Sequence, residues 1–190
     1  RFYDEGEDFW PKRYAIWGRL VAGQPDQIAY SIIDSKAVGK FMPPVFPPVR
    51  ANSIRELCAA FELDPATVER TVARFNAAVR PGTFDHTALA DCRTAELTPP
   101  KTHWARPIDT PPYFGYPLRP GITFTYLGVT VDEKARILMQ DDKPSANMFA
   151  AGEIMAGNIL GKGYLGGIGM TIGMVFGRIA GEGAARHVRQ

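Results

Sequence analysis

Residues 148–188, MFAAGEIMAGNILGKGYLGGIGMTIGMVFGRIAGEGAARHV, decide how the chain is read. Phe149, Ala150 and Ala151 are apolar without alternation, which predicts a short strand covered on both faces. Gly152 and Glu153 close it. The loop after them carries Gly157, Gly161, Gly163, Gly166 and Gly167, so backbone can approach a ligand with no side chain between. Gly169, Gly173, Gly177 and Gly181 then recur every fourth residue, a single bare stripe if the segment is helical. Close packing of that stripe against a neighbour would offset about 1 kcal/mol of lost propensity per glycine. The segment is therefore expected to be strand, glycine-rich loop and long closing helix, with the helix N-terminus aiming N–H groups at an electron-rich ligand atom.

Two other readings of the stretch fail. Small residues four apart also pack membrane helices. However, the apolar run from Ile168 ends at Arg178, far short of the roughly 20 residues a bilayer needs. Gly161-Lys162 looks like the end of a phosphate-binding P-loop, but that pattern needs glycine at 156 and Ser or Thr at 163. Here those positions are Ala156 and Gly163.

The motifs FAAGE (149–153), GNILGKGYLGG (157–167) and GMTIGMVFGRIAGEGAA (169–185) resemble the C-terminal end of the succinate dehydrogenase/fumarate reductase flavoprotein superfamily. Within it they look most like the FAD-dependent tricarballylate dehydrogenase branch, which includes the flavoprotein half of the precorrin-synthesis protein CobZ. The opening RFYDEGEDFWPKRYAIWGR also resembles that branch, and the likeness is weakest between about 80 and 112. It implies FAD contacts at Gly152 and Glu153, the acid on the ribityl region, and at Gly167, Gly169 and Met170, facing the flavin's pyrimidine edge. It also implies an active-site arginine near Arg13, with Lys12 beside it and Arg19 as the alternative. In fumarate reductases a histidine binds a substrate carboxylate where this chain reads Thr123, Phe124 and Thr125, and a second clamping arginine stands where it has Tyr164. Arg13 and Tyr164 are thus the catalytic candidates, with Thr123, Thr125 and Lys162 for substrate.

The chain has 190 residues, enough for a real core, and starts at Arg1. No G-x-G-x-x-G follows a strand, so the expectation is a C-terminal piece of a longer FAD-binding domain, holding FAD weakly without the pyrophosphate-binding half. Twenty-two basic and 20 acidic residues intersperse to a net charge of +2, which implies no nucleic-acid partner. Cys58 and Cys92 form no C-x-x-C pair and suit packing in a reducing cytoplasm. His86, His103 and His187 lack metal-ligand spacing, so no metal is expected. Nothing reads as a signal peptide or membrane span.

The expected fold class is mixed α+β, with a mainly helical and loop region over 1–112 and a hairpin plus the cofactor-contacting strand–loop–helix over 113–190. Gln27–Asp34 alternates as a strand, and the proline-dense MPPVFPP (42–48) is an extended connector. Ser53 to Glu56 is a capping box, and Asp64-Pro65 starts a second helix whose apolar face is Val68, Val72, Phe75 and Val79. Ile122–Val131 alternates and precedes Asp132-Glu133-Lys134-Ala135, predicting a β-hairpin with Arg136–Met139.

These readings point to an FAD-dependent oxidoreductase that takes hydride from a tricarballylate-like carboxylate and passes electrons to a separate protein. A CobZ-like tetrapyrrole oxidation and a non-catalytic scaffold are the alternatives.

Overall fold

The computed structural model describes Asp4 and residues 10–189, without the side chains of Trp10, Pro11, Lys12 and Tyr14. Most of the opening aromatic and acidic segment therefore lies outside the described residues, as does the Lys12 side chain. The described residues form two compact units, one of Asp4 and Gly18–Pro120, the other of Trp10–Trp17 and residues 121–189. Helix α1 (Trp10–Ala22) contributes to both.

In the first unit, β1 (Ala29–Asp34), β2 (Val49–Ala51) and β5 (Tyr113–Leu118) make an antiparallel sheet in the order β1-β5-β2. Tyr113–Leu118, grouped by sequence with the C-terminal region, is the central strand of this sheet. Helices α2 (Ile54–Ala60) and α3 (Pro65–Ala78) begin where their caps demand. Ser53 Oγ accepts from Glu56 N at 3.1 Å and Asp64 Oδ2 from Thr67 N at 3.0 Å. The Glu56 carboxylate reaches back to the N–H of Asn52, at 2.8 Å. Leu57 and Cys58 of α2 are buried. The Phe61 ring tilts on Tyr30 at 5.0 Å and lies over Gly115, where a Cβ would overlap it. A glycine in the central strand thus lets the helix end settle on the sheet. After α3 the short strands β3 (Val79–Arg80) and β4 (Arg93–Thr94) pair. Asp34, 4 % exposed, accepts from the N–H groups of Lys36, Asp109 and Thr110 and pairs with Lys36 Nζ at 3.0 Å. Its buried charge is therefore compensated.

The second unit contains β6 (Arg136–Leu138), β7 (Pro144–Phe149), a 3-10 helix over Glu153–Asn158, and α4 (Ile168–Val188). Its core gathers Ala150, Met155, Ala156 and Ile172, with Phe124, Ile168 and Phe176 against them. Three expectations need correction. Ile122–Val131 is not a continuous strand, although the turn at Asp132–Ala135 forms as expected and its flanks pair: Val131 bridges Ile137, Leu138 N donates to Thr130 O at 2.8 Å and Asp132 N to Arg136 O at 3.0 Å. Other N–H groups of the segment bond the 3-10 helix instead, Val129 N to Ile154 O at 2.8 Å and Val131 N to Asn158 Oδ1 at 3.1 Å. The longer ladder is β6 with β7, joining Arg136 to Phe149. The predicted buried strand lies earlier than expected and is not covered on both faces, since only Ser145 of β7 is buried. Finally, Gly173, Gly177 and Gly181 have nothing within 4 Å of the place a Cβ would take. The glycines of α4 that are tightly packed are Gly169 and Gly183, against Phe124 and Phe149.

Candidate functional site

Glu153 opens the 3-10 helix directly after Gly152, whose φ of 83° is the left-handed backbone that glycine supplies cheaply. Its Oε1 accepts from the N–H of Thr125 at 2.8 Å and from the Thr125 hydroxyl at 3.2 Å. The side chain is exposed, and a carboxylate has more acceptor positions than these two donors fill. The residues 122–131 are thereby tied to the 3-10 helix. Gly128 and Gly157 let the two backbones touch: a Cβ on either would overlap a carbonyl of the other segment. Asn158 completes the join, donating to Val129 O at 3.0 Å and Met155 O at 2.7 Å while accepting from Val131 N.

The glycine loop leads to Gly167, the N-cap of α4, at φ 93°. With no side chain, Gly167 caps nothing, so the N–H groups of Gly169 and Met170 point out of the helix start uncapped by it. Gly161, Gly163 and Gly167 have open space where a Cβ would be. A Cβ on Gly169 would lie 3.1 Å from the Tyr164 hydroxyl oxygen and 2.7 Å from Phe124 Cε2. Tyr164 and Phe124 are themselves tilted rings with centroids 5.0 Å apart.

The structure therefore joins Glu153 to Thr125, and Tyr164 to Gly169. Lys162 and Thr123 are exposed on the same unit, Met170 is exposed on the first turn of α4, and Arg13 sits half-buried on the part of α1 that clusters with this unit. Thr125, read as a substrate contact, spends its hydroxyl proton on Glu153. Sequence reasoning named Phe124 only as standing, with Thr123 and Thr125, where fumarate reductases have histidine, and passed over Asn158. An aromatic between two threonines and an asparagine after a glycine were the only signals they gave. Among the described residues no group of His, Cys, Asp and Glu could hold a metal ion, and no helix is long and apolar enough to cross a membrane.

An exposed carboxylate beside a left-handed glycine, bare backbone at three loop glycines and an uncapped helix start fit a polar, hydroxyl-bearing, electron-rich cofactor such as FAD. The fold is mixed α and β and is that of part of an FAD-binding flavoprotein. The chain belongs to the FAD binding domain family, whose profile matches residues 14–170. It is 30% identical over 72% of its length to a urocanate reductase of Eggerthella lenta, covering 20% of that protein. A probable fumarate reductase of Shewanella frigidimarina is likewise 30% identical, over 73% of this chain and 21% of its own. The open conformation of a flavocytochrome c3 fumarate reductase superposes with a TM-score of 0.68 at 24% identity, covering 98% of this chain and 31% of that one. The chain thus spans about a fifth of the curated relatives it matches.

Proposed function

We propose that the parent flavoprotein is an FAD-dependent oxidoreductase acting on the carbon–carbon bond next to a carboxylate, with a tricarballylate-like polycarboxylate as substrate. The observation that carries this reading is the Tyr164 hydroxyl set against Gly169, in the first turn of the helix that would face the cofactor. Fumarate and urocanate, named for the relatives, are unsaturated carboxylic acids, which supports chemistry at such a bond. Relative to the fumarate reductase pattern, this site has a phenol in place of one cation and threonines around Phe124 in place of histidine. Lys162 and Arg13 are the cations assigned to carboxylates, an arrangement suited to an acid larger than a C4 dicarboxylate.

The residues assigned to FAD are Gly152, Glu153, Gly167, Gly169 and Met170. Bound FAD would supply the hydride acceptor, a saturated acid losing hydride from one carbon and a proton from its neighbour. Glu153, oriented by Thr125, would accept hydroxyl hydrogen bonds from the cofactor. The start of α4 would favour negative charge on a cofactor held there. Tyr164 orients the substrate by a hydrogen bond, and Arg13 anchors a carboxylate and stands nearest the proton-transfer role by resemblance. A separate electron-transfer protein in the cytoplasm completes the proposal.

The test is dye-coupled oxidation by the full-length flavoprotein with succinate and tricarballylate side by side, and reduction of the matching unsaturated acids. Preference for tricarballylate, with Tyr164→Phe lowering turnover more than flavin content, is the expected result. Preference for succinate overturns the substrate assignment. An enzyme inert toward all four acids overturns the carboxylate reading.

A further inference from the structure

We infer that Phe124 is the positioning residue of this site: its ring, lodged over the bare backbone of Gly169, holds the Tyr164 phenol against the start of α4. The inference rests on the role proposed for Tyr164 and adds a residue to it. Three contacts meet at one point. Phe124 Cε2 lies 2.7 Å from the place a Gly169 Cβ would occupy, the Tyr164 hydroxyl oxygen 3.1 Å from it, and the two rings are 5.0 Å apart at 46°. A third ring, Tyr126, meets the edge of Phe124 at 6.2 Å and 64°. Tyr164 sits in a loop of glycines, Gly161, Gly163, Gly166 and Gly167, whose own backbone preference holds a side chain poorly. The tilted contact with the Phe124 ring gives it a direction that the loop backbone does not.

Phe124 is well placed to give that direction because its own backbone is anchored next door. Thr125 N–H and hydroxyl are bound by Glu153, and Phe124 packs on the core of Ala150, Met155, Ala156 and Ile172. Tilted aromatic pairs of this kind are directional as well as apolar. The chain from Glu153 through Thr125 and Phe124 to Tyr164 therefore links the residue assigned to the cofactor's ribityl region with the residue assigned to substrate. It also explains why position 169 is glycine. Any side chain there would displace the ring and the phenol together.

The test uses the full-length flavoprotein and the acid of the panel above that it turns over fastest, with flavin content measured for every variant. Phe124→Leu keeps apolar volume and removes the ring; it is expected to lower kcat about tenfold, the order of effect an aromatic pair contributes, with KM and flavin content close to wild type. Phe124→Tyr, which retains a ring, is expected to recover most of the loss. In the double variant Phe124→Leu/Tyr164→Phe, kcat should fall no further than in Tyr164→Phe alone, as for residues acting through one contact. Losses that multiply in the double variant, or a kcat loss in Phe124→Leu that only follows lost flavin, overturn the inference while leaving the role of Tyr164 standing. Wild-type turnover by Tyr164→Phe overturns that role and the inference with it.

Discussion

Glu153 Oε1 is held by two donors from one residue, the Thr125 N–H at 2.8 Å and the Thr125 hydroxyl at 3.2 Å. A carboxylate so fixed keeps one orientation across the join between the 122–131 segment and the 3-10 helix. Both the local fold and the proposed cofactor contact depend on it.

Glu153→Ala in the full-length flavoprotein should therefore weaken FAD retention by about 1.5–3 kcal/mol, the range for hydrogen bonds to a charged group. Thr125→Val should produce a smaller loss, since the backbone N–H bond survives. Flavin-to-protein absorbance ratios after dialysis measure both. Full occupancy in Glu153→Ala would show that the carboxylate serves only to tie the loop.

Gly169 and Gly173 should respond in opposite ways to an added methyl group. Gly169→Ala forces Phe124 aside and is expected to destabilise the 190-residue chain by about 1–3 kcal/mol. Gly173→Ala meets open space within this chain and gains up to about 1 kcal/mol of helix propensity. Thermal denaturation of the two variants separates the effects. A lowered Tm in Gly173→Ala would mean that the stripe is covered in solution.

The turn after Val131 carries a pH signature. Burial opposes ionisation of Asp132, but hydrogen bonds from the Arg136 side chain and from the backbone N–H groups of Arg136 and Lys134 outweigh it, and its carboxyl is held below the usual carboxylate range. Because the folded carboxyl is the more acidic, its contribution is complete above the ordinary range and fades as pH falls through the folded value. Asp132→Asn should destabilise at neutral pH by about 1 kcal/mol or less, as for a partly exposed pair. Denaturant midpoints should converge with wild type in acid; a gap that persists below the folded value would show that the charge is not the cause.

Ser53→Ala should lower stability by about 1 kcal/mol through the lost cap on α2. Ser53→Asp should retain most of it. Urea titration followed by far-ultraviolet circular dichroism tests the pair, and equal midpoints for Ala and wild type would contradict the capping role.

Several features were fixed by residue order because their causes are local. A side-chain oxygen three residues before the N–H it caps sets the starts of α2 and α3 at Ser53 and Asp64. The long run after Gly167 makes α4, and Gly152 and Gly167 take the positive φ values their loop positions require. The Gly152-Glu153 and loop-glycine motifs also carried the family and its cofactor.

What tertiary structure alone decided concerns partners distant along the chain. The alternation of Ile122–Val131 is a strand signal, yet it pairs with 136–138 only beside the turn, because its N–H groups find Glu153, Ile154 and Asn158, and the longer ladder is β6 with β7. Helix α1 was not placed by the sequence, which marked 1–112 only as a mainly helical and loop region. Spacing made Gly169, Gly173, Gly177 and Gly181 equivalent, but only the first has rings against it. Period measures which residues share a face of a helix, whereas contact depends on what the rest of the chain brings to that face. For the same reason the meeting of Phe124, Tyr164 and Gly169 was invisible in the sequence: it is made by folding a segment 40 residues upstream onto the glycine loop, a placement that no local preference encodes.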